Sequence, residues 1–281
     1  MFLRAVFIAL LAVLSSCEES REVRNVPRAT LVLANGYYVE VAQIPEGKWS
    51  TIDSPSGSDA LRVEARDGTR VRIIGAPPFV VDIRELKVVE SGNRADHTFI
   101  VTSPDRSRRI VLAECKNRPD FYSECQLRAF DEETEITRTE SLLSYGLPVW
   151  RDNTTFFFVG SSGELFRTDC TTGTTSRLEA RDRSLCAHLP VQGGLLTTDR
   201  KGIAILDPTT GKEKVWLVRT SMWSPVGDGA LTSPDERYLV YSRKRLLSEV
   251  YDCYLRELKT GRESLIVPAL RFISGIWLNA G

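Results

Sequence analysis

Thr102-Ser103-Pro104-Asp105 leads into the apolar run Ile110-Val111-Leu112-Ala113, and 130 residues later Thr232-Ser233-Pro234-Asp235 leads into Tyr238-Leu239-Val240-Tyr241. Downstream, residues 125–137 (CQLRAFDEETEIT) align with residues 253–265 (CYLRELKTGRESL). The separation divides into three periods of about 43 residues, the length of one propeller blade. Two more copies should then lie between, and residues 149–178 and 193–218 supply them. Each has an apolar strand, a turn with Gly or Asp, a second strand, and Asp-x-Thr-Thr-Gly before a third. Gly173, Gly211 and Gly261 occupy one turn position, where a tight hairpin commonly needs a positive φ that glycine adopts without a Cβ penalty.

A unit of this size cannot bury both faces of its own sheet. Packed in a ring, each copy covers its neighbour and leaves only short edges. The expected fold is therefore all-β, a β-propeller of antiparallel strands over residues 27–281, with room for six blades and five or seven as the alternatives. Asn35-Gly36 between LVLA and YYVEV predicts a hairpin. Asp67-Gly68 separates LRVEAR from TRVRII, whose alternation predicts a sheet with one wetted face. The final segment, LRFISGIWLNAG, reads as an opening strand that completes a sheet begun near the N-terminus and closes the ring. Residues 243–258 oppose the pattern, because Leu247, Val250, Tyr251, Tyr254 and Leu258 recur at helical spacing; residues 131–143 also predict a short helix.

The chain of 281 residues is 42% hydrophobic and 26% charged, with 37 basic and 37 acidic side chains. This is a globular composition, too apolar and evenly charged for intrinsic disorder. Zero formal charge argues against a nucleic-acid partner.

At the N-terminus, Arg4 precedes an apolar run from Ala5 to Leu14, followed by Ser15-Ser16-Cys17. About ten apolar residues are too few to span a bilayer, whereas they fit a removable secretory signal. Leu14-Ser15-Ser16-Cys17 resembles the bacterial lipobox. That resemblance implies that residues 1–16 are removed and that Cys17 is lipidated, with residues 17–26 as a polar tether. Two or three acyl chains make a stable anchor where one does not. Glu18, rather than Asp, leans towards the outer membrane over the inner.

Five cysteines remain. Cys115 and Cys125 flank a polar loop that brings hairpin ends within bonding distance, and a Cys170–Cys186 bond is the weaker second candidate. Five is odd, so at least one thiol stays free or pairs between chains. No catalytic or metal-binding constellation emerges, and no cofactor is implied. His97 and His188 are the only histidines, and nucleophile-elbow, Walker and dinucleotide motifs are absent. Cys186 and His188 share a strand face, but a lone sheet histidine is far more often structural. Asp131-Glu132-Glu133 with Glu135 lacks calcium-loop spacing and reads as a solvated turn. Arg243-Lys244-Arg245 reads as a solvated loop, and Gly160-Ser161-Ser162-Gly163 as a hairpin turn. Asn153-Thr154-Thr155 matches a glycosylation sequon that a bacterial lipoprotein would not use. Trp150, Trp216, Trp223 and Trp277 suit blade cores better than a ligand surface.

The two Ser-Pro-Asp segments, with the weaker Val149-Trp150-Arg151-Asp152, resemble TolB-type propeller repeats over residues 99–267. Asp105 and Asp235 occupy that family's turn, but its following glycine is Arg106 and Glu236 here. Ile205–Lys212 with Trp216 is similar to a quinoprotein-type repeat in one blade only. The TolB resemblance implies envelope proteins or peptides as partners. The expected function is a non-catalytic binding scaffold, lipid-anchored on the periplasmic side of the envelope. The alternative is a propeller hydrolase or lyase acting on a sugar or small metabolite in the central channel. Recurrence of Asp105 and Asp235 in repeated turns favours an architectural role, since a catalytic residue has no reason to recur per blade.

Overall fold

A computed structural model describes residues 23, 26, 28–35, 37–55, 62–65, 69–75, 78–92, 99–117, 123–142, 147–186 and 194–279. These build six four-stranded antiparallel sheets. β1 (Ala29–Ala34), β2 (Tyr38–Ile44) and β3 (Lys48–Asp53) belong to blade 1. Blade 2 holds β4 (Arg62–Ala65), β5 (Arg70–Ile74), β6 (Phe79–Asp82) and β7 (Lys87–Ser91). Blade 3 holds β8 (Phe99–Thr102), β9 (Arg108–Asn117), β10 (Ser123–Asp131) and β11 (Thr134–Leu142). Blade 4 holds β12 (Val149–Trp150), β13 (Thr155–Val159), β14 (Glu164–Asp169) and β15 (Thr174–Arg181). Blade 5 holds β16 (Ser184–Leu185), β17 (Leu195–Asp199), β18 (Gly202–Leu206) and β19 (Glu213–Arg219). Blade 6 holds β20 (Val226–Thr232), β21 (Tyr238–Lys244), β22 (Tyr251–Glu257) and β23 (Glu263–Val267). The last strand, β24 (Ser274–Asn279), pairs antiparallel with β1 from Ala29↔Asn279 to Ala34↔Ser274 and becomes the innermost strand of blade 1. The ring is a six-bladed propeller closed by both ends of the described chain.

Antiparallel succession sends alternate connections to opposite faces of the disc. The second-to-third hairpins and the inter-blade linkers define an upper face; the other turns define a lower face.

Cohesion comes from the seams between blades. Leu31, Leu33 and Trp277 of blade 1 pack with Tyr238, Val240 and Leu255 of blade 6. Val32, Val39 and Val41 meet Val71, Ile73 and Phe79 across the seam with blade 2. Ile110, Leu112 and Leu127 meet Trp150, Phe156 and Phe158 between blades 3 and 4. Blades 4 and 5 share Phe157, Val159, Ala204 and Leu206, and blades 5 and 6 share Ile203, Val218, Leu239 and Tyr241. Among the described residues the seam between blades 2 and 3 has no such cluster of its own. From blade 2 only Ile74 joins the apolar cluster of the next seam.

The duplicated Ser-Pro-Asp segments form the same turn twice. Ser103 Oγ donates to Asp105 Oδ1 (2.7 Å) and accepts from Arg108 N (3.0 Å). Ser233 Oγ repeats this with Asp235 (2.5 Å) and Tyr238 N (3.0 Å). The next residues, Arg106 and Glu236, have φ of 63° and 54°, so non-glycine side chains occupy a left-handed position. The third-to-fourth strand turn recurs more widely. Gly173, Gly211 and Gly261 adopt φ of 67°, 78° and 71°, and Gly47 and Leu86 take equivalent places in blades 1 and 2 with φ of 67° and 52°.

Neither predicted helix forms. Residues 243–258 are the end of β21, a hairpin tip and β22, and residues 134–142 are β11. Blade strands are buried on both faces, so their apolar residues lose the period of two, and helical spacing arises by coincidence. Cross-strand pairing from Tyr238↔Glu257 to Lys244↔Tyr251 then decides the conformation. Asn35 Oδ1 accepts from Tyr37 N and Tyr38 N at the β1–β2 turn, whereas Gly36, Asp67 and Gly68 lie outside the described residues.

Trp277 is buried and stacks on Tyr238 across the closing seam, with ring centroids 6.3 Å apart. Trp277→Ala should cost about 3 kcal/mol in denaturant unfolding; a loss below about 1 kcal/mol would show that closure is not held there. Arg106→Gly should stabilise by about 0.5–1 kcal/mol, since relief of the left-handed strain at φ 63° outweighs the added chain entropy of glycine. A destabilised Arg106→Gly protein would refute the strain.

Candidate functional site

Among the described residues the two most exposed large apolar side chains, Leu247 and Met222, lie on the upper face of blade 6. Met222 and Trp223, on the linker from β19 to β20, are 81% and 64% exposed. Leu246 and Leu247, at the tip between β21 and β22, are 61% and 86% exposed, and Leu247 holds φ of 56°. The two loops are tied together: Ser224 Oγ donates to the Lys244 carbonyl (2.5 Å), and Lys244 N donates to the Pro225 carbonyl (2.9 Å). Beneath the tip, Arg245 grips Asp252 through two 2.7 Å hydrogen bonds, and Asp252 Oδ1 also accepts from Ala269 N (2.9 Å). The Arg245 guanidinium, opposed by partial burial, holds the Asp252 carboxyl below its usual range. The hairpin base is thus fixed while its leucines face solvent. Thr220 N donates to the Lys201 carbonyl (3.0 Å), bringing the β17–β18 turn of blade 5, with Arg200 and Lys201, beside the patch.

Polar groups on the inner two strands stitch neighbouring blades to one another. Val63 N donates to Ser274 Oγ (3.2 Å), Trp150 Nε1 to the Val101 carbonyl (3.2 Å), and Thr198 Oγ1 to the Asp228 carbonyl (3.0 Å). Arg62 is buried on β4 and donates to the Pro148 carbonyl (2.8 Å), joining blade 2 to the start of blade 4. Burial without a bonded carboxylate pulls its guanidinium down to about 10. Among the described residues no group of three or more His, Cys, Asp or Glu side chains gathers as for a metal ion.

The structure distributes the sequence-predicted residues as follows. Cys115 and Cys125 form a disulfide at the upper end of blade 3. The Cys170–Cys186 expectation is corrected: both thiols are free and buried, Cys170 in the seam of blades 3 and 4 and Cys186 in that of blades 5 and 6. Desolvation pushes them up to about 11 and about 12, and pushes Cys253 up as well. Asp105 and Asp235 serve their own turns. The acidic run is bound by arginines: Asp131 to Arg108 (2.7 Å), Glu133 to Arg109 (3.1 Å), and Glu135 to Arg128 and Arg138. Those bonds hold the Glu135 carboxyl down at about 2. Arg243, Lys244 and Arg245 pair with Glu263, Glu249 and Asp252. Asn153 Oδ1 accepts from Asp105 N (3.1 Å), linking neighbouring lower turns. Trp150 and Trp277 are core residues, Trp216 lies beneath Arg183 and Arg219, and Trp223 is exposed. Cys17, His97 and His188 lie outside the described residues.

Sequence reading missed the patch because Leu247 fell in the helical spacing of Val250, Tyr251, Tyr254 and Leu258. It also missed the Arg62 bridge, which no local motif marks.

No family model and no curated protein matches the sequence. Among solved structures, the chain is similar to a protein of unknown function from Bacteroides caccae, with 10% identity, a TM-score of 0.59, and coverage of 91% of this chain and 100% of that one. A protein from Lactobacillus plantarum matches at 12% identity and a TM-score of 0.49, covering 89% and 99%. The C-terminal WD40 domain of Sif2 matches at 14% identity and 0.46, covering 84% and 68%. The first likeness carries the propeller fold.

Alkylation of the native, unreduced protein with iodoacetamide at pH 8 should leave Cys170, Cys186 and Cys253 unmodified, since each is a buried, protonated thiol. Peptide mapping should find all three labelled after denaturation, with Cys115 still joined to Cys125. Native labelling of any of the three would contradict the seam packing.

Proposed function

We propose that this chain is a lipid-anchored, non-catalytic propeller of the bacterial envelope that holds a protein partner on the upper face of blade 6. The observation that carries the reading is the solvent-facing cluster of Met222, Trp223, Leu246 and Leu247 on two loops locked together. Exposed apolar side chains on adjoining loops commonly mark an interaction surface, and Trp and Met are enriched in interface cores. Leucine in the left-handed region costs roughly 1–2 kcal/mol. Strain and exposure at one residue are supported when a partner covers them. Arg200 and Lys201 have no ion pair with a described residue, so the fitting partner has an apolar centre and an acidic rim.

The entry of the chain supports the orientation. Arg28, just before β1, pairs with Glu46 in the β2–β3 turn (3.4 Å), on the lower face. A lipidated Cys17, eleven residues upstream, would tether the disc from that side and leave the upper face turned away from the bilayer. This favours a protein over the membrane as the occupant of the patch. On this reading the protein sits on the periplasmic side, at the outer membrane.

The test is crosslinking and co-purification of the protein from its own membranes, with Leu247→Asp and Cys17→Ala in parallel. The native chain should fractionate with membranes and recover a specific envelope protein. Leu247→Asp should lose that protein by about tenfold while keeping its thermal midpoint, and Cys17→Ala should become soluble. Recovery of no envelope protein above background, or equal recovery by Leu247→Asp, defeats the binding reading. Unchanged fractionation of Cys17→Ala defeats the anchor.

A further inference from the structure

The chain enters the ring across the outer rim of the closing seam. Val23 N donates to Ser264 Oγ on β23 of blade 6 (2.8 Å), and Arg28 reaches Glu46 in the β2–β3 turn of blade 1 (3.4 Å). Val23 and Val26, both partly buried, pack on the core that blades 6 and 1 share. The stretch read as a polar tether is therefore docked at Val23 and Val26, and Val23 comes six residues after Cys17. Six residues span about 20 Å at full extension, so a lipidated Cys17 holds this rim within about that distance of the bilayer. The rim is built from the lower turns of two neighbouring blades. Trp49 pairs in register with Ala42, a member of the shared core, so Trp49 continues that face outward to the rim, where it is 46% exposed. Lys48 beside it, with Lys259 and Arg262 of the β22–β23 turn, has no ion pair with a described residue; the same holds for those two. The nearby carboxylates are already held, Glu46 by Arg28 and Glu257 by Thr260 Oγ1 (2.5 Å). With Glu18, Glu19 and Glu22 of the tether set against its Arg21 and Arg24, cations still outnumber carboxylates.

We propose that this rim rests on the bilayer, with Trp49 at headgroup level and Lys48, Lys259 and Arg262 on anionic phospholipid headgroups. The geometry rests on the lipid-anchor reading given above. The occupant is a lipid surface because the entering chain brings an anchored Cys17 to this rim before any other partner can reach it. An indole, apolar in body and polar at one edge, favours the boundary between water and hydrocarbon. Long basic side chains lay their stems on apolar surface and carry their charge to phosphates. An acylated end keeps the rim at high effective concentration beside the leaflet, so contacts that are modest on their own add to the residence of the whole protein. They also set its tilt. With the lower rim of blades 6 and 1 against lipid, the Met222, Trp223, Leu246 and Leu247 patch on the upper face is turned away from it.

The experiment is vesicle co-flotation of the native chain and of Cys17→Ala, with pure phosphatidylglycerol and with pure phosphatidylcholine, at low ionic strength. Cys17→Ala should float with phosphatidylglycerol only, and high salt should release it. Adding Lys48→Ala, Lys259→Ala or Arg262→Ala should weaken that binding by about fivefold each, with an unchanged thermal midpoint because none of the three holds an ion pair. Brominated phosphatidylglycerol should quench the indole fluorescence of the vesicle-bound native chain; Trp49→Phe should lose that quenching and Trp223→Phe should keep it. Failure of Cys17→Ala to bind phosphatidylglycerol, equal binding to phosphatidylcholine, or quenching lost with Trp223→Phe instead of Trp49→Phe would each overturn the rim contact. The anchor is judged separately, since an acylated native chain should float with phosphatidylcholine as well. A native chain that floats no better than Cys17→Ala defeats the anchor, while the phosphatidylglycerol arm still decides the rim.

Discussion

A four-stranded sheet of short strands has two faces and nothing of its own to cover them. That constraint governs this molecule. Burying apolar surface contributes roughly 25 cal/mol per Å², but a lone blade leaves both faces in water. Stability therefore resides in the seams, and a ring has as many seams as blades only when it is closed. Here closure is a strand-pairing event: β24 lies beside β1, and its Trp277 enters the core shared by blades 1 and 6. The two most distant described strands thus form one sheet, so blade 1 reaches the same four strands as the other blades.

The turns show how strictly this geometry is enforced. Ser-Pro-Asp builds the same hydrogen-bond net in blades 3 and 6, although the residue that follows, Arg106 or Glu236, is poorly suited to its φ. The side-chain bonds of the serine and aspartate impose the left-handed step, and the seams on either side hold it. Leu86 shows the same override in blade 2, where Asp82 Oδ1 accepts from Arg84 N and Glu85 N to shape a turn that other blades make with glycine.

These overrides also explain what was legible in the sequence. Blades 3 to 6 could be read because Ser-Pro-Asp and Thr-Thr-Gly are local motifs whose side chains write the turn directly. Blades 1 and 2 use the same third-to-fourth turn without its signature, with Gln43 to Gly47 and Asp82 to Leu86, so only alternation and the Asn-Gly and Asp-Gly pairs pointed to hairpins. Residues 243–258 misled because burial on both faces erases the period that distinguishes strand from helix. The Cys170–Cys186 pairing misled for a related reason: proximity in sequence says little when successive blades face away from each other into different seams. Of the candidate site, almost nothing was visible. An exposed Leu246-Leu247 differs from a buried pair only in its surroundings, and those are supplied by the Ser224–Lys244 contact between two loops.

The wetted face anticipated for LRVEAR and TRVRII, like the closing strand, was a long-range feature that local sequence did carry. Alternation there places Glu64 and Arg72 on the face opposite Val63 and Ile73. In an isolated sheet such a face would meet bulk solvent, but in a closed ring it must meet another blade. The ring cannot omit the seam, because its neighbours on both sides fix the blades in place. A charged face held against a neighbour by forces acting elsewhere leaves a space that its own contacts do not fill. The cleft of about 510 Å³ between blades 2 and 3 thus follows from combining a half-polar sheet with a closure that the other five seams sustain.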